Sequence, residues 1–364
     1  MNDNIPPFGG HKGRIFAVGV TADRNVVSGG DDGIVRLWDL RTGRLKRTFR
    51  GHDGAVTCLA LAPDGDIVLA GSDDRRISVW DVQSGQALAV LSGHSSGVTS
   101  VAISSDGSHA ASASFDGTIR IWSLPAGEEE AVLTQETSFR GGIGAVAFAP
   151  DDCRLVAMPF DGTGQVWDWR AGRQLVRFAA ATIMFGNFIL QPDQALIGTL
   201  AVTSDGKQAV ACEITQFDEP GQDADAVDCF FPRKSGAVGI FSLETGVLDV
   251  LSEDIPGRVV AAVPTVDGEH IITADSQLAI RIWNRRTGQL EATFGEIGSL
   301  REAANCHRAY INALAVTVGG QYIVTGSDDG TVRVWERATG EVKVVIRRPE
   351  WPELVAPAGE PVRH

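Results

Sequence analysis

No apolar run in the 364-residue sequence is long enough to cross a bilayer as a helix. The opening MNDNIPPFGGHKGR also has no apolar core of signal-peptide length. Cysteine is scarce and unpatterned: Cys58, Cys153, Cys212, Cys229 and Cys306 form an odd set with no pair at metal-site spacing. That excludes a disulfide framework and suits a reducing compartment. Positive charge is short as well. Lys and Arg number 32 against 46 Asp and Glu, a formal net charge of −14, so the basic footprint that nucleic acid or an anionic membrane surface needs is missing. Glycine-rich phosphate cradles, nucleophile elbows and paired histidines at metal spacing are absent too. From these absences we expect a soluble, cytoplasmic, non-enzymatic chain with no cofactor, no metal, and no nucleic-acid or membrane partner.

What the sequence does contain is one phrase repeated. TGSDDGTVRVWERATG, residues 325–340, comes round seven times with its aromatic in fixed frame. The aromatics are Trp38, Trp80, Trp122, Trp167, Phe241, Trp283 and Trp335, each followed five positions later by a glycine, from Gly43 to Gly340. Successive aromatics stand 42, 42, 45, 74, 42 and 52 residues apart, a period in the range of stacked supersecondary repeats. Length alone would suggest two or three domains, but seven units of this size account for most of the chain, so one closed domain is expected.

Turn signals divide the second unit, residues 51–91, into four strands. Val56 to Leu61 is almost wholly apolar, as a strand buried on both faces would be, and PDG at 63–65 turns it into Ile67 to Gly71. A second tight turn at 73–76 leads to Ile77 to Trp80, and a loop ending in Gly85 leads to Ala87 to Leu91. Strands this short cannot bury their faces alone, whereas a four-stranded sheet between copies of itself can. The expected fold is therefore all-β: a seven-bladed propeller with four antiparallel strands per blade. Its blades run about 11–49, 52–91, 94–134, 139–178, 197–251, 255–294 and 307–348. Residues 1–10 precede the propeller and a proline-rich tail, 349–364, follows it. The stretch 341–348 reads as a fourth strand, so the last blade is expected to be built from contiguous sequence.

Gly-His at 10–11, 51–52 and 93–94, with Trp-Asp at 38–39, 80–81 and 167–168, resembles the Trp-Asp repeat (WD-repeat) β-propeller family over nearly the whole chain. The resemblance implies a buried network of His, Ser or Thr, turn Asp and Trp. In frame it is complete in three units: His11, Ser28, Asp32, Trp38; His94, Ser112, Asp116, Trp122; and His307, Thr325, Asp329, Trp335. A Ser-His-Asp set suggests hydrolysis, but a set that occurs three times is better read as buried polar groups satisfying one another. Blade two has Ala70 in place of the hydroxyl, and blade four keeps only Asp161 and Trp167. Blade five has Phe241 and Ser235, and blade six has Gln277 for the Asp. The resemblance also implies that the fourth strand of the last blade usually comes from the opposite terminus, from which this chain departs.

Three insertions break the period: an apolar link within 179–196, an acidic loop at 213–236 with six carboxylates, and extra residues near 295–306. Within the second, DADAVD at 223–228 lacks the glycine and terminal glutamate of a calcium loop and reads as a solvated acidic segment. All three fall between the second and third strands or between blades, so they emerge on one face, while every loop of the other face is short. Long loops on one face of a repeat architecture point to a binding face. There the residue before the turn Asp gives Asp31, Asp73, Phe115, Phe160 and Asp328, and the residue opening the first strand includes Arg14, Arg258 and Tyr310. The resemblance implies that such rim positions contact partners, and aromatics and Arg are enriched in hot spots. Partner binding of a protein or peptide is therefore expected at Phe115, Phe160, Tyr310, Arg258, Arg14, Asp31, Asp73 and Asp328, led by the two phenylalanines. The bland alternative is that those rings pack against the inserted loops. His109 and His270, on the plain face, are expected to be solvated strand ends. A second functional reading is an enzyme or small-ligand binder using a central pocket walled by loops 179–196 and 213–236.

Overall fold

The computed structural model describes residues 10–134, 142–160, 163–179, 200–212, 235–256, 259–295 and 306–347. These form seven four-stranded antiparallel sheets in which strands pair in chain order. The three insertions, save one or two residues at their edges, lie outside the described residues, as do Asp161, Arg258 and the tail. The second blade runs Val56–Leu61, Ile67–Ser72, Arg76–Asp81 and Ala87–Ser92, within a residue or two of where its turn signals place it. The last blade is contiguous: Ile311–Val316, Tyr322–Ser327, Val332–Glu336 and Val342–Ile346 pair in that order.

The repeated aromatic and its glycine have separate tasks. In each blade the register slips by one residue between the aromatic and the aliphatic before it, as between Val79 and Trp80. This bulge twists the outer strand away from the third. The glycine five positions on closes the turn at φ between 61° and 77° in all seven blades, a left-handed conformation that costs a residue with a Cβ. The aromatic itself packs on the preceding blade. Trp80 lies with Val27, Leu37 and Phe49 of blade one, Trp122 with Leu69 and Val79 of blade two, and Trp335 with Ile272 and Ile282 of blade six. Trp38 lies with Val324 and Val334 of blade seven, so the ring closes through the same contact that joins its interior blades. Burial of these large rings between sheets supplies much of the apolar area removed from water.

Candidate functional site

The strand polarity of each meander puts the turn between second and third strands at the same end of the blade as the entry to its first strand. The two rim positions are tied together there by the backbone. Asp31 N–H donates to Arg14 O (3.0 Å), Asp73 to Ala55 (3.1 Å), Phe115 to Gly97 (3.1 Å), Phe160 to Gly142 (3.1 Å) and Asp328 to Tyr310 (2.9 Å). The candidate residues therefore form an arc over blades seven, one, two, three and four. Arg258 falls outside the described residues.

Along the arc, Tyr310 is 57% exposed, and Asp328 accepts from Asn312 Nδ2 at 2.6 Å. Arg14 is clamped on Asp31, with its backbone N–H at 2.9 Å and Nε at 3.0 Å from Oδ2. Asp73 is exposed, but partial burial first, then the charges of Asp74 and Asp31, push its carboxyl up. Phe115 and Phe160 are half-buried and stack face to face, with centroids 5.4 Å apart and planes 8° from parallel. Glycine makes room for them: a Cβ on Gly142 would lie 2.3 Å from Phe115 Cα, and one on Gly144 would lie 3.1 Å from Phe160 Cε1. Each ring thus has the other as its packing partner and presents a residual apolar edge on the rim.

Beneath the rim the three complete networks are present. In blade one, His11 Nδ1 meets Asp32 at 2.9 Å, His11 Nε2 meets Ser28 Oγ at 2.7 Å, and Trp38 Nε1–H donates to the same Oγ at 2.8 Å. Blade three repeats this at 2.9, 2.8 and 2.9 Å, and blade seven at 3.1, 2.7 and 2.9 Å. Each hydroxyl accepts from the indole and meets the imidazole, whose other nitrogen meets the carboxylate, and Ser28, Ser112 and Thr325 are fully buried, so no substrate can reach the oxygen that would attack it. Burial holds the His11 and His307 imidazoles below their ordinary value despite the facing carboxylates. Burial alone would raise Asp32 and Asp329, but the hydrogen bonds and charges around them, led by the histidines, together outweigh it and hold both well below the usual carboxylate range. The sets are structural.

Three substitutes escaped the sequence reading. In blade four, Trp167 Nε1–H is satisfied by Gln165 Oε1 at 3.0 Å, from the same strand. In blade six, Trp283 donates to Thr273 at 2.9 Å, and a fully buried Asp275–Arg281 ion pair takes the place of the His-Asp pair. An arginine occupies the same frame in blades one, three and seven, so Arg281 gave no signal, and Asp275 stands where blades two, three and seven have Ser. His109 and His270 are not solvated ends, contrary to expectation. His109 lies 3.3 Å from Glu130 and against Trp169, with centroids 5.0 Å apart, and His270 lies 3.0 Å from Glu291 and 2.7 Å from Arg337. The outer strand supplies each carboxylate at close register, which frame counting along one strand does not reveal. Among the described residues no three His, Cys, Asp or Glu side chains converge as metal ligands.

The fold defines the class: a seven-bladed β-propeller whose blades carry the His-Ser/Thr-Asp-Trp network. A family model for the WD domain, G-beta repeat, matches residues 3–39, 43–81, 85–123 and 298–336. These are blades one, two, three and seven, the ones that keep the histidine. The chain belongs to the WD-repeat family. It is similar to the ribosome biogenesis protein BOP1 homolog of Caenorhabditis elegans, 42% identical over 62 residues, 16% of this chain and 9% of that protein. Mitochondrial division protein 1 of Eremothecium gossypii is 60% identical over 37 residues, 10% of this chain and 5% of that protein. F-box/WD repeat-containing protein 10 of Mus musculus is 42% identical over 53 residues, 14% and 5%. The match spans less than a tenth of the length of each of these relatives, which is the scale of one or two repeats.

Proposed function

We propose that this protein is a non-catalytic scaffold that docks a protein or peptide partner on the face carrying the long loops, across the rim from Tyr310 to Phe160. WD40 propellers generally act as protein-interaction scaffolds. The observation that carries the reading is the Phe115–Phe160 stack, two large rings held at the rim by glycines and backed by each other. A rigid aromatic pair loses little side-chain entropy on binding and suits a hot spot. Asp31, Asp73 and Asp328 beside it give the arc an acidic flank. The net charge of −14 supports a partner other than nucleic acid or an anionic membrane. The free thiols of Cys58, Cys153 and Cys306 support a cytoplasmic setting.

The test is affinity purification with mass spectrometry, comparing the native chain with the F115A/F160A double variant. We expect loss of the captured partners, at least tenfold in abundance. The melting curve should shift only by the value of the stack, about 1 kcal/mol. An unchanged set of partners overturns the reading. The enzymatic alternative rests on loops 179–196 and 213–236, which fall almost wholly outside the described residues.

A further inference from the structure

The outer strands of the seven blades are sheet edges, and six of them carry at least one charged residue. They hold Lys46 and Arg47 in blade one, Glu129 and Glu130 in blade three, and Arg173 and Arg177 in blade four. Blades five, six and seven have Asp249, Glu291 and Lys343. Charge on an edge strand discourages pairing with another chain. Among these seven strands, Ala87–Ser92 of blade two, with the sequence ALAVLS, alone has none. Its burial alternates: Leu91 is 1% exposed, whereas Leu88 is 42% and Val90 55% exposed. Ala89 and Leu91 pack toward blade three, where a Cβ on Gly127 would lie 2.9 and 2.7 Å from them. Leu88 and Val90 therefore sit together on the opposite face of a strand whose outer backbone edge has no strand beside it among the described residues.

We propose that this edge is a self-association site, at which the Ala87–Ser92 strands of two copies pair antiparallel across a two-fold axis. The symmetry of the strand selects the occupant. Residues directly opposite in an antiparallel pair share a face, so a dyad at Ala89 sets Leu88 of one copy, the extra residue of the bulge beside Trp80, against Val90 of the other, twice. All four exposed apolar side chains then become cross-strand neighbours. An isologous pairing sets a patch against itself, so a strand carrying charge of one sign meets the same sign near the axis. With a net charge of −14 on each copy, an uncharged strand is the edge that avoids this repulsion. Six residues a side make a small interface, which places the dimer among weak, concentration-dependent associations. This site lies on the outer rim of the ring and does not depend on the docking rim.

Analytical ultracentrifugation of the full chain from micromolar to millimolar concentration is the test. We expect a monomer–dimer equilibrium whose midpoint rises at least tenfold in V90K, a substitution at a side chain exposed enough to leave the fold intact, as a matched melting curve would verify. V132K, on the charged outer strand of blade three, should leave the midpoint where it was. In a C153S background, which removes the one exposed thiol among the described residues, A89C should crosslink two copies through the axis under mild oxidation. A chain that stays monomeric throughout, because the edge is taken by its own terminal residues or by a different protein, overturns the proposal. So does a dimer that V90K does not weaken.

Discussion

His52 holds Asp74 through Nδ1 at 2.9 Å, as its counterparts do in blades one, three and seven, yet its buried Nε2 has no hydrogen-bond partner. The reason is Ala70, fully buried at the frame position of Ser28, Ser112 and Thr325. Without the hydroxyl between them, His52 and Trp80 meet edge to face at 5.7 Å, closer than the 6.5 Å of His11 and Trp38. A70S should return the missing relay. The serine would donate to His52 Nε2, and the change should stabilise the fold by about 1 kcal/mol, the net value of an ordinary hydrogen bond. Denaturation midpoints of the two chains check it, and a midpoint that fell would show that blade two has closed over the gap. This defect was legible from sequence because the four partners stand at fixed intervals. Gln165 and Asp275 were not, since each acts from a position that is polar in most blades, where Arg36, Arg120 and Arg333 or Ser72, Ser114 and Ser327 stand, so neither stood out.

A blade can also dispense with the network as a whole. In blade five Phe241 has no N–H to satisfy, Ala211 replaces the hydroxyl, and Gly239 lies opposite Ala211. Phe241 folds over that glycine so closely that a Cβ there would lie 2.7 Å from Cε2. Replacing both members of a hydrogen bond with apolar groups is nearly neutral, whereas restoring one alone strands it. F241W, although it writes back the residue of the other six blades, should therefore destabilise the protein by about 1–3 kcal/mol. The double variant A211S/F241W should regain part of the loss. Urea midpoints of the three chains decide it, and a more stable F241W would mean that blade five has an acceptor at hand. At this scale the strands were legible wherever PDG-type turns and apolar alternation bound them. The inner strand of blade five was less so: it is described over Leu200–Val202, and the expected start at 197 lies outside the described residues. The apolar link before it has no alternation to mark where pairing begins.

Six junctions of the ring are crossed by the chain, and the seventh, between blades seven and one, is crossed by none of the described residues. Between blades seven and one, contact rests on packing of Trp38 and Ile15 against Val324 and Val334, and on Asn312 Nδ2 donating to Ile15 O at 3.1 Å. At three junctions a glycine on the second strand of one blade lets the first strand of the next approach. A Cβ on Gly29 would meet Val56 at 2.5 Å, one on Gly71 would meet Val98 at 2.6 Å, and one on Gly326 would meet Ile15 at 2.6 Å. G71A and G326A therefore introduce the same crowding, at a typical overpacking cost of about 1–3 kcal/mol. Their consequences should differ. Where a linker crosses the junction, the parted blades stay at high effective concentration and reclose. At the uncrossed junction parting opens the ring, exposing the inner strands of both end blades. Native-state hydrogen exchange should then show G326A raising exchange in blades one and seven together, with a larger fall in melting temperature than G71A produces. Equal losses in the two variants would mean that the closing junction is no weaker than the rest. Packing of one repeat on the next would then hold the propeller shut with no help from the chain that threads it.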